Sequence, residues 1–515
     1  MGSGGTMRKS GILTAVFSLP NEYGIGCFSK EAYDYVDFLA EAKQKFWQIL
    51  PLGPTGYGDS PYQSFSTFAG NPYFIDLQEF IDKGWLSEKE CRKAYSDYYK
   101  SNKWYKTASD DEKNNYVDYE AQYYVRFSLL RKACERSGIE SDKDFAEFAL
   151  NESYWLDDYA LYMAIKDSKD GASIYEWENP LRLRKEKAIA KAKKELAAEI
   201  VFYKFIQYFF KKQWLALKGY ANEKGVEIIG DIPIYVALDS ADTWANPELF
   251  IFDRDLKPKG VAGCPPDYFS KTGQLWGNPL YDWDAHKKDG FSWWIKRLKK
   301  CYELYDVVRI DHFRAFDEYY YIPFGDPTAE FGHWCPGPGY DFFKAVNKEL
   351  KKPRIIAEDL GYLTPSVLRL VKRTGYPGMK VLEFAFDSKE NNEYLPHNYT
   401  PNCVVYTGTH DNDTVKGWLK TIKRVDKASL KEYLDIKNTR NISRDLIKLA
   451  ESSVADTCII PIQDVFGLDE TARINIPSTL GNNWKWRLLP SYLYGEKRTE
   501  ASAYLSKITS TYRRK

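Results

Sequence analysis

The chain has 515 residues, and its 73 lysines and arginines balance 72 aspartates and glutamates to a formal net charge of +1. This balance argues against nucleic acid or an acidic membrane surface as the main partner. Apolar residues make up 44 %, which is too many for a disordered chain, and the length suits about three domains or one large barrel with insertions.

The chain opens with Met-Gly-Ser-Gly-Gly-Thr, and residues 1–6 are interpreted as a cloning remnant ahead of a native start at Met7. Eight runs of apolar and β-branched residues follow, and each is predicted to be a buried strand. These runs are 12–19, 46–52, 226–236, 305–313, 354–360, 379–386, 403–409 and 458–462.

Helical patterns separate the predicted strands, at residues 30–42, 199–222, 293–303, 340–350, 364–374 and 442–453. Strands that alternate with helices indicate parallel β-α-β units. Eight such units predict an α/β fold, a closed (β/α)8 TIM barrel. An open doubly wound sheet is the alternative architecture.

Two long connections interrupt this alternation. Residues 81–199 are polar, rich in Lys, Glu and Tyr, and helical in pattern, so we expect an inserted helical subdomain on the catalytic face. The barrel itself is then formed by residues 7–80 and 200–515. Residues 238–286 hold prolines, glycines and many aromatic rings, and they follow the third predicted strand. In a barrel this loop would lie at the active face.

Acidic residues close three of the predicted strands, where a barrel places its catalytic groups. Asp311 ends the fourth strand, Glu358-Asp359 the fifth, and Asp411 with Asp413 the seventh. Arg309 and Asp311 are two residues apart, so both project to one face of a strand, and the arginine would hold the Asp311 carboxylate ionised. One ionised and one protonated carboxyl group are what cleavage of a glycosidic bond requires.

The competing interpretation is a metal-dependent barrel hydrolase that uses His312, His410, Asp311, Asp411 and Asp413 as ligands. The chain has five histidines, and its first predicted strand carries no His-x-His pair, so the pattern favours the carboxylate chemistry. Gly24-Ile25-Gly26 begins like a dinucleotide-binding loop, but Ser29 replaces the third glycine. No cofactor or metal is implied.

The cysteines indicate the compartment. The eight cysteines include no Cys-x-x-Cys pair, which in so large a chain indicates free thiols in a reducing compartment, the cytoplasm. No run of 18 apolar residues is present, so we expect no membrane span.

Motifs along residues 11–487 resemble one known family. They are Ser18-Leu19-Pro20, Tyr23-Gly24-Ile25-Gly26, Trp47-Gln48-Ile49-Leu50-Pro51-Leu52-Gly53-Pro54, Ser60-Pro61-Tyr62-Gln63, Gly230-Asp231-Ile232-Pro233, Gly263-Cys264-Pro265-Pro266-Asp267-Tyr268-Phe269-Ser270, Gly273-Gln274-Leu275-Trp276-Gly277-Asn278-Pro279, Arg309-Ile310-Asp311-His312-Phe313-Arg314, Ala357-Glu358-Asp359-Leu360-Gly361, Thr407-Gly408-Thr409-His410-Asp411-Asn412 and Gly481-Asn482-Asn483-Trp484. In these segments the sequence is similar to the amylomaltases, the 4-alpha-glucanotransferases of glycoside hydrolase family 77 in the alpha-amylase clan. It departs from the family at Cys264, where valine is common, and at Ala15-Val16, where His-Pro is common.

The resemblance implies a role for each matching residue. Asp311 would be the nucleophile, Glu358 the general acid and base, and Asp411 the group that stabilises the transition state. Substrate would be bound by Arg309, which orients Asp311, and by Tyr62, Asp231, Tyr268, Phe269, Gln274, Trp276, Asp387 and His410.

The expected reaction is therefore retaining transfer of α-1,4-glucan segments between maltooligosaccharide, starch or glycogen chains, with glucose as acceptor or product. An α-amylase-like hydrolase and a non-catalytic glucan-binding protein are the alternatives. Oligomeric state and preferred chain length do not follow from the sequence.

Overall fold

The computed structural model describes residues 8–56, 58–266, 270–361, 363–386 and 392–514. Its strands are β1 (Lys9–Leu13), β2 (Phe46–Gln48), β3 (Glu227–Pro233), β4 (Gly260–Cys264), β5 (Gln274–Pro279), β6 (Val307–Asp311), β7 (Glu318–Pro323), β8 (His333–Pro336), β9 (Ile355–Ala357), β10 (Gly378–Val381), β11 (Cys403–Tyr406) and β12 (Thr457–Pro461). Eight of them form one parallel sheet in the order β10-β11-β12-β1-β2-β3-β6-β9.

This sheet curls into a barrel that is nearly closed. Between β9 and β10 the Ala357 N–H donates to the Pro377 carbonyl oxygen at 2.9 Å, which joins the two ends of the sheet. Inside the barrel the Tyr406 hydroxyl donates to the Gln48 side-chain oxygen at 2.9 Å, and both residues are buried. The predicted (β/α)8 barrel is confirmed, and all eight predicted strand positions carry a barrel strand.

Helices cover the outside of the barrel, as the sequence predicts. They are Lys30–Glu41, Ala197–Glu223, Ser292–Leu304, Gly339–Leu350, Pro365–Thr374, Val415–Thr421, Arg424–Tyr433, Ile442–Ser452 and Glu496–Thr511. The helix that begins at Pro365 shows how local sequence sets the ends. The Thr364 hydroxyl oxygen accepts the Val367 N–H, Pro365 takes the first position, and Gly375 ends the helix in the left-handed conformation.

The long connection between β2 and β3 is helical. Its helices are Gln78–Asp82, Glu88–Ser101, Lys103–Thr107, Asp110–Asn115, Tyr119–Ala121, Phe127–Ser137, Lys143–Asn151, Ser153–Asp167, Asn179–Arg182 and Glu186–Glu195. The following helix begins at Ala197 and buries one apolar face that includes Phe202, Phe205 and Phe209. The division of the chain at residues 80 and 200 stays a prediction.

A second sheet of four antiparallel strands follows the order β5-β4-β7-β8. Strands β4 and β5 lie within the predicted loop 238–286, and β7 and β8 follow barrel strand β6. That segment is therefore partly regular, and it also contains the helices Ala241–Ala245 and Trp283–Lys288.

The first barrel strand differs from its predicted bounds of 12–19. It runs from Lys9 to Leu13, and Val16–Ser18 forms a 3-10 turn. The Ser18 hydroxyl donates to the Trp486 carbonyl oxygen at 2.8 Å and takes the chain away from the barrel. The apolar run extends beyond the strand because the residues of the turn are buried as well. The end of the run therefore does not mark the end of the strand.

All eight cysteines are free thiols. Among the described residues no helix is long and apolar enough to cross a membrane. Residues 1–6, the predicted cloning remnant, lie outside the described part of the chain.

Candidate active site

Three strand ends at one side of the barrel carry the predicted carboxylates. Asp311 is the last residue of β6, Glu358 directly follows β9, and Asp411 lies in the loop after β11. Because all barrel strands are parallel, their carboxyl ends open at the same face. The fold thus places the three acids after barrel strands, as the sequence predicts.

Arg309 links Asp311 to a second carboxylate. Its Nη1 atom lies 3.1 Å from Asp311 Oδ1, as the spacing along β6 predicts. The same atom donates to both Asp231 oxygens, at 2.7 and 2.8 Å, and the arginine is 97 % buried. Burial would lower the pKa of Arg309, but the carboxylates of Asp231 and Asp311 raise it well above its usual value. The guanidinium therefore remains a fixed positive charge beside Asp311.

Glu358 is held close to the nucleophile candidate by main-chain donors. The N–H of His312, the residue after Asp311, donates to Glu358 Oε2 at 2.7 Å, and the Leu360 N–H donates to Oε1 at 3.0 Å. His312, whose N–H makes this contact, has a left-handed backbone with φ of 52°. The arrangement fixes Glu358 relative to the end of β6.

The pKa values of the Asp311 and Glu358 carboxyl groups are both raised. Burial raises the pKa of Asp311 to about 6, and the Arg309 charge limits this rise. Burial, and then the neighbouring Asp311 carboxylate, raise the pKa of Glu358 to about 7. The group beside the arginine loses its proton first, which leaves Asp311 ionised while Glu358 still carries a proton.

Tyr62, His410 and Asp411 form one connected group. The Tyr62 hydroxyl donates to Asp231 Oδ2 at 2.8 Å, which leaves its oxygen to accept from His410 Nε2 at 2.9 Å. The two rings stack at 5.2 Å, and His410 Nε2 lies 3.3 Å from Asp411 Oδ2. Burial would raise the pKa of Asp411, but the His410 charge and hydrogen bonds lower it well below its usual value. Asp411 is thus an anion at neutral pH.

The second sheet carries two more predicted residues, and one of them contacts His312. Trp276 lies edge-on to the His312 ring, with centroids 4.8 Å apart, and its Nε1 donates to Gln274 Oε1 at 3.1 Å. Both residues belong to β5. The predicted substrate residues Tyr268, Phe269 and Asp387 lie outside the described part of the chain.

A cleft of about 1340 Å³ adjoins the site. Trp104, Tyr123 and Tyr124 of the helical connection line one part of it, and Trp276 and Asn483 line another. Aromatic rings with exposed faces suit the C–H faces of sugar rings, while polar groups suit their hydroxyls. The helical connection therefore lines the same cleft as Trp276, which contacts His312, and Arg473, which contacts Asp411.

Sequence reasoning assigned no role to three residues that touch the site. Asn475 donates its amide to Asp411 Oδ1 at 2.6 Å, and Arg473 donates to the Asp411 carbonyl oxygen at 2.9 Å. Trp484 lies against the Tyr62 and His410 rings, at 5.6 and 6.0 Å. All three lie more than ten residues after the end of β12, so the expectation that catalytic groups directly follow barrel strands does not find them. The Gly-Asn-Asn-Trp motif is the sequence signal that marks this segment.

Comparison with known proteins identifies the family. The family model described as 4-alpha-glucanotransferase, glycoside hydrolase family 77, matches residues 14–491. The chain belongs to this family. It is 48 % identical over 489 residues to the 4-alpha-glucanotransferase of Streptococcus pneumoniae serotype 4, covering 94 % of each chain. It is 47 % identical over 474 residues to that of Clostridium butyricum, covering 92 % of this chain and 94 % of the relative.

A solved structure of the family has the same fold. The amylomaltase from Streptococcus agalactiae in complex with acarbose superposes with a TM-score of 0.91 at 41 % identity, covering 98 % of this chain and 99 % of that one. The predicted resemblance is confirmed, and the chain is an enzyme of the 4-alpha-glucanotransferase type.

Proposed function

We propose that the enzyme transfers α-1,4-glucan segments by a retaining double displacement. The observation that carries this proposal is the unequal environment of two neighbouring half-buried carboxyls. Asp311 faces the Arg309 guanidinium at 3.1 Å, whereas Glu358 receives only main-chain N–H groups and faces the Asp311 charge. Two carboxyls whose environments separate their pKa values are the acid and nucleophile of a retaining glycosidase site.

In the first step Asp311 attacks the anomeric carbon of the donor sugar. Glu358 gives its proton to the glycosidic oxygen, which leaves with the reducing-end part of the glucan. The positive charge that develops on the sugar ring faces the Asp411 carboxylate, which stabilises it. The product is a covalent glucosyl-enzyme with an inverted anomeric centre.

In the second step the 4-hydroxyl of an acceptor glucan attacks the glucosyl-enzyme. Glu358, now ionised, takes the proton of this hydroxyl, and Asp311 leaves as a carboxylate. The two inversions restore the α configuration. Transfer requires that an acceptor sugar outcompete water, and the sheet that carries Trp276 would cover the acceptor side and exclude solvent.

The remaining predicted residues bind substrate in this proposal. Tyr62 would stack under the sugar at the cleavage point, and Asp231 and His410 would receive its hydroxyls. Gln274, Trp276, Tyr268 and Phe269 would contact the acceptor, and Asp387 the neighbouring sugar. The substrates would be maltooligosaccharides and the α-1,4 chains of starch or glycogen. A cytoplasmic location suits the free thiols of the chain.

Incubation with maltotriose tests the proposal. A transferase produces glucose together with oligomers longer than maltotriose, because each transferred segment must extend another chain. Products that are only shorter than maltotriose would instead identify a hydrolase. Binding of maltotriose with no change in chain length would identify a glucan-binding protein.

Two variants control this assay. Asp311→Asn and Glu358→Gln keep the size of each side chain and remove the nucleophile or the acid, so each is expected to lower turnover by at least about a thousandfold. Melting temperatures report whether the fold is intact. A folded variant that keeps a large share of the wild-type rate would show that a different carboxylate carries the chemistry.

A further inference from the structure

The carboxylate of Asp411 is held from the side opposite His410 by a short segment after β12. Asn475 Nδ2 donates to Asp411 Oδ1 at 2.6 Å. Arg473 Nη2 donates to the Asp411 carbonyl oxygen at 2.9 Å, and Arg473 Nε donates to the Asn475 carbonyl oxygen at 2.8 Å. The asparagine is 91 % buried, and it donates to a carboxylate whose side chain is 43 % exposed.

The two oxygens of Asp411 therefore have different partners. Oδ2 faces His410 Nε2 at 3.3 Å, and Oδ1 receives the Asn475 amide. One contact alone would leave the carboxylate free to turn about its Cβ–Cγ bond, whereas two contacts from opposite sides fix its plane. The amide has no titratable proton in the working pH range, so this donor is present whatever the charge of His410.

The alternative role for Asn475 is to close the loop that it begins. Other groups already close that loop. The Asn483 side-chain oxygen accepts the Ile476 N–H at 3.0 Å, and Asn483 Nδ2 donates to the Thr479 carbonyl oxygen at 3.0 Å. The Asn475 side chain points instead to Asp411. The side-chain contact of Asn475 therefore acts on the Asp411 carboxylate and is not needed to close the loop.

We propose that Asn475 is a positioning residue for Asp411. Its amide sets the plane of the carboxylate and keeps it ionised, so that its negative charge faces the sugar as positive charge develops. This inference rests on the proposed role of Asp411 in stabilising the transition state. Interactions that strengthen in the transition state affect kcat more than KM.

The isosteric variant Asn475→Asp tests the proposal. It replaces the donor by a carboxylate that repels Asp411, so the pKa of Asp411 should rise and its orientation should be lost. We expect kcat for maltotriose transfer to fall about 10- to 100-fold, with a smaller change in KM, as for loss of a hydrogen bond to a charged group. The added negative charge beside Asp411 should also raise the pKa of Asp311, whose ionisation sets the acid limb of the pH–rate profile, so that limb should move to higher pH. Asn475→Ser, which keeps a donor, should lose less.

Asn438→Asp is the matched control. Asn438 is exposed and its side chain accepts only the nearby Arg440 N–H, so the same change of charge should leave kcat and the pH profile unchanged. If Asn475→Asp does not fold, Asn475→Ser carries the comparison. Wild-type kcat and pH profile in a folded Asn475 variant would overturn the proposal.

A further pair of variants separates this inference from the proposed function. Asp411→Asn should nearly abolish transfer, and adding Asn475→Asp to it should cause no further loss, because the asparagine acts through Asp411. An active Asp411→Asn variant would contradict the role of Asp411 itself. If the single variant Asp411→Asn is inactive while the single variant Asn475→Asp is fully active, only the role of Asn475 is contradicted.

Discussion

Asp311 and Glu358 are both half-buried carboxyl groups at strand ends, yet they face different neighbours. The Arg309 charge is fixed by its contacts to Asp231 and Asp311, so it favours the ionised form of Asp311, the proposed nucleophile. Arg309 also lowers the pKa of Glu358, but the Asp311 charge raises it by more, so Glu358 keeps its proton longer. The direct contact of the guanidinium with Asp311 thus separates the two carboxyls in the way that their proposed roles require.

These pKa values predict a narrow bell-shaped pH dependence. The value of kcat/KM should rise as Asp311 ionises, near pH 6, and fall as Glu358 loses its proton, near pH 7. Because Asp311 and Glu358 interact, the apparent pKa of each limb is a property of the pair and not of one residue. The measurement is kcat/KM for maltotriose across pH 4.5 to 9.

A donor with a different leaving group isolates the alkaline limb. Fluoride leaves from α-maltosyl fluoride without help from an acid, so formation of the glucosyl-enzyme from this donor should keep the acid limb and lose the alkaline one. Equal alkaline limbs for the fluoride and for maltotriose would contradict the assignment of Glu358 as the acid.

Part of this site follows from local sequence and part does not. Arg309 and Asp311 are neighbours on one face of β6, so a strand pattern is enough to pair them. The contact of Arg309 with Asp231 needs the register of β3 against β6, in which these two residues are direct partners. Asn475 lies 64 residues from Asp411, and no period or spacing in the sequence joins them.

At the scale of elements, one short helix ties two active-face loops together. Asp242 lies in the helix Ala241–Ala245, and its Oδ2 accepts the Thr67 N–H from the connection after β2, at 2.7 Å. Burial raises the pKa of Asp242 to about 7, against the effect of this N–H and of Arg297. The folded protein therefore binds the Asp242 proton more tightly than the unfolded chain does.

This difference predicts a pH-dependent stability. The contribution of the protonated group is full below about pH 4 and is lost as the pH rises toward 7. Asp242→Asn stays neutral and can still accept the Thr67 N–H. The variant should gain stability over the wild type between pH 5 and 8, on the order of a few kcal/mol at most.

Thermal midpoints of the two proteins at pH 5 and pH 8 provide the measurement. Other buried acids titrate in both proteins, so the difference between them isolates Asp242. Asp255→Asn, at an exposed position, is the control and should show no such trend. An Asp242→Asn variant that is equally less stable at both pH values would show that the charge of Asp242 is not what matters.

The predictability of elements depends on the type of strand. Parallel barrel strands are buried on both faces, and their apolar runs identify them. The strands of the second sheet contain glycines that mark close approach of neighbouring chains. A Cβ atom on Gly263 would lie 2.1 Å from the Gln274 carbonyl oxygen, so only glycine fits there. Glycine and proline in the sequence favour a loop, which is why β4 and β5 were not predicted.

At the scale of the whole molecule, Arg514 anchors the C-terminal segment to the amino end of β1 and to the helix Ile442–Ser452. Arg514 Nη1 donates to the carbonyl oxygen of Lys9, where β1 begins, at 3.2 Å, and its Nε lies 3.2 Å from Glu451 Oε2. The Ser10 hydroxyl donates to the same Glu451 oxygen at 2.8 Å. Both charged side chains are completely buried. This ion pair lies at the amino ends of the strands, away from the carboxylates.

Removal of Arg514 should therefore destabilise the fold and leave the chemistry intact. Arg514→Ala leaves Glu451 buried without its cation, which is expected to cost about 3–5 kcal/mol of unfolding free energy. The rate of maltotriose transfer well below the melting transition should stay near the wild-type value.

Arg513→Ala, at the exposed neighbour, is the matched control and should change stability by less than about 0.5 kcal/mol. The double variant Arg514→Met with Glu451→Leu should recover most of the loss, because it removes the uncompensated charge. Equal melting temperatures for the wild type and Arg514→Ala would show that this contact does not stabilise the fold.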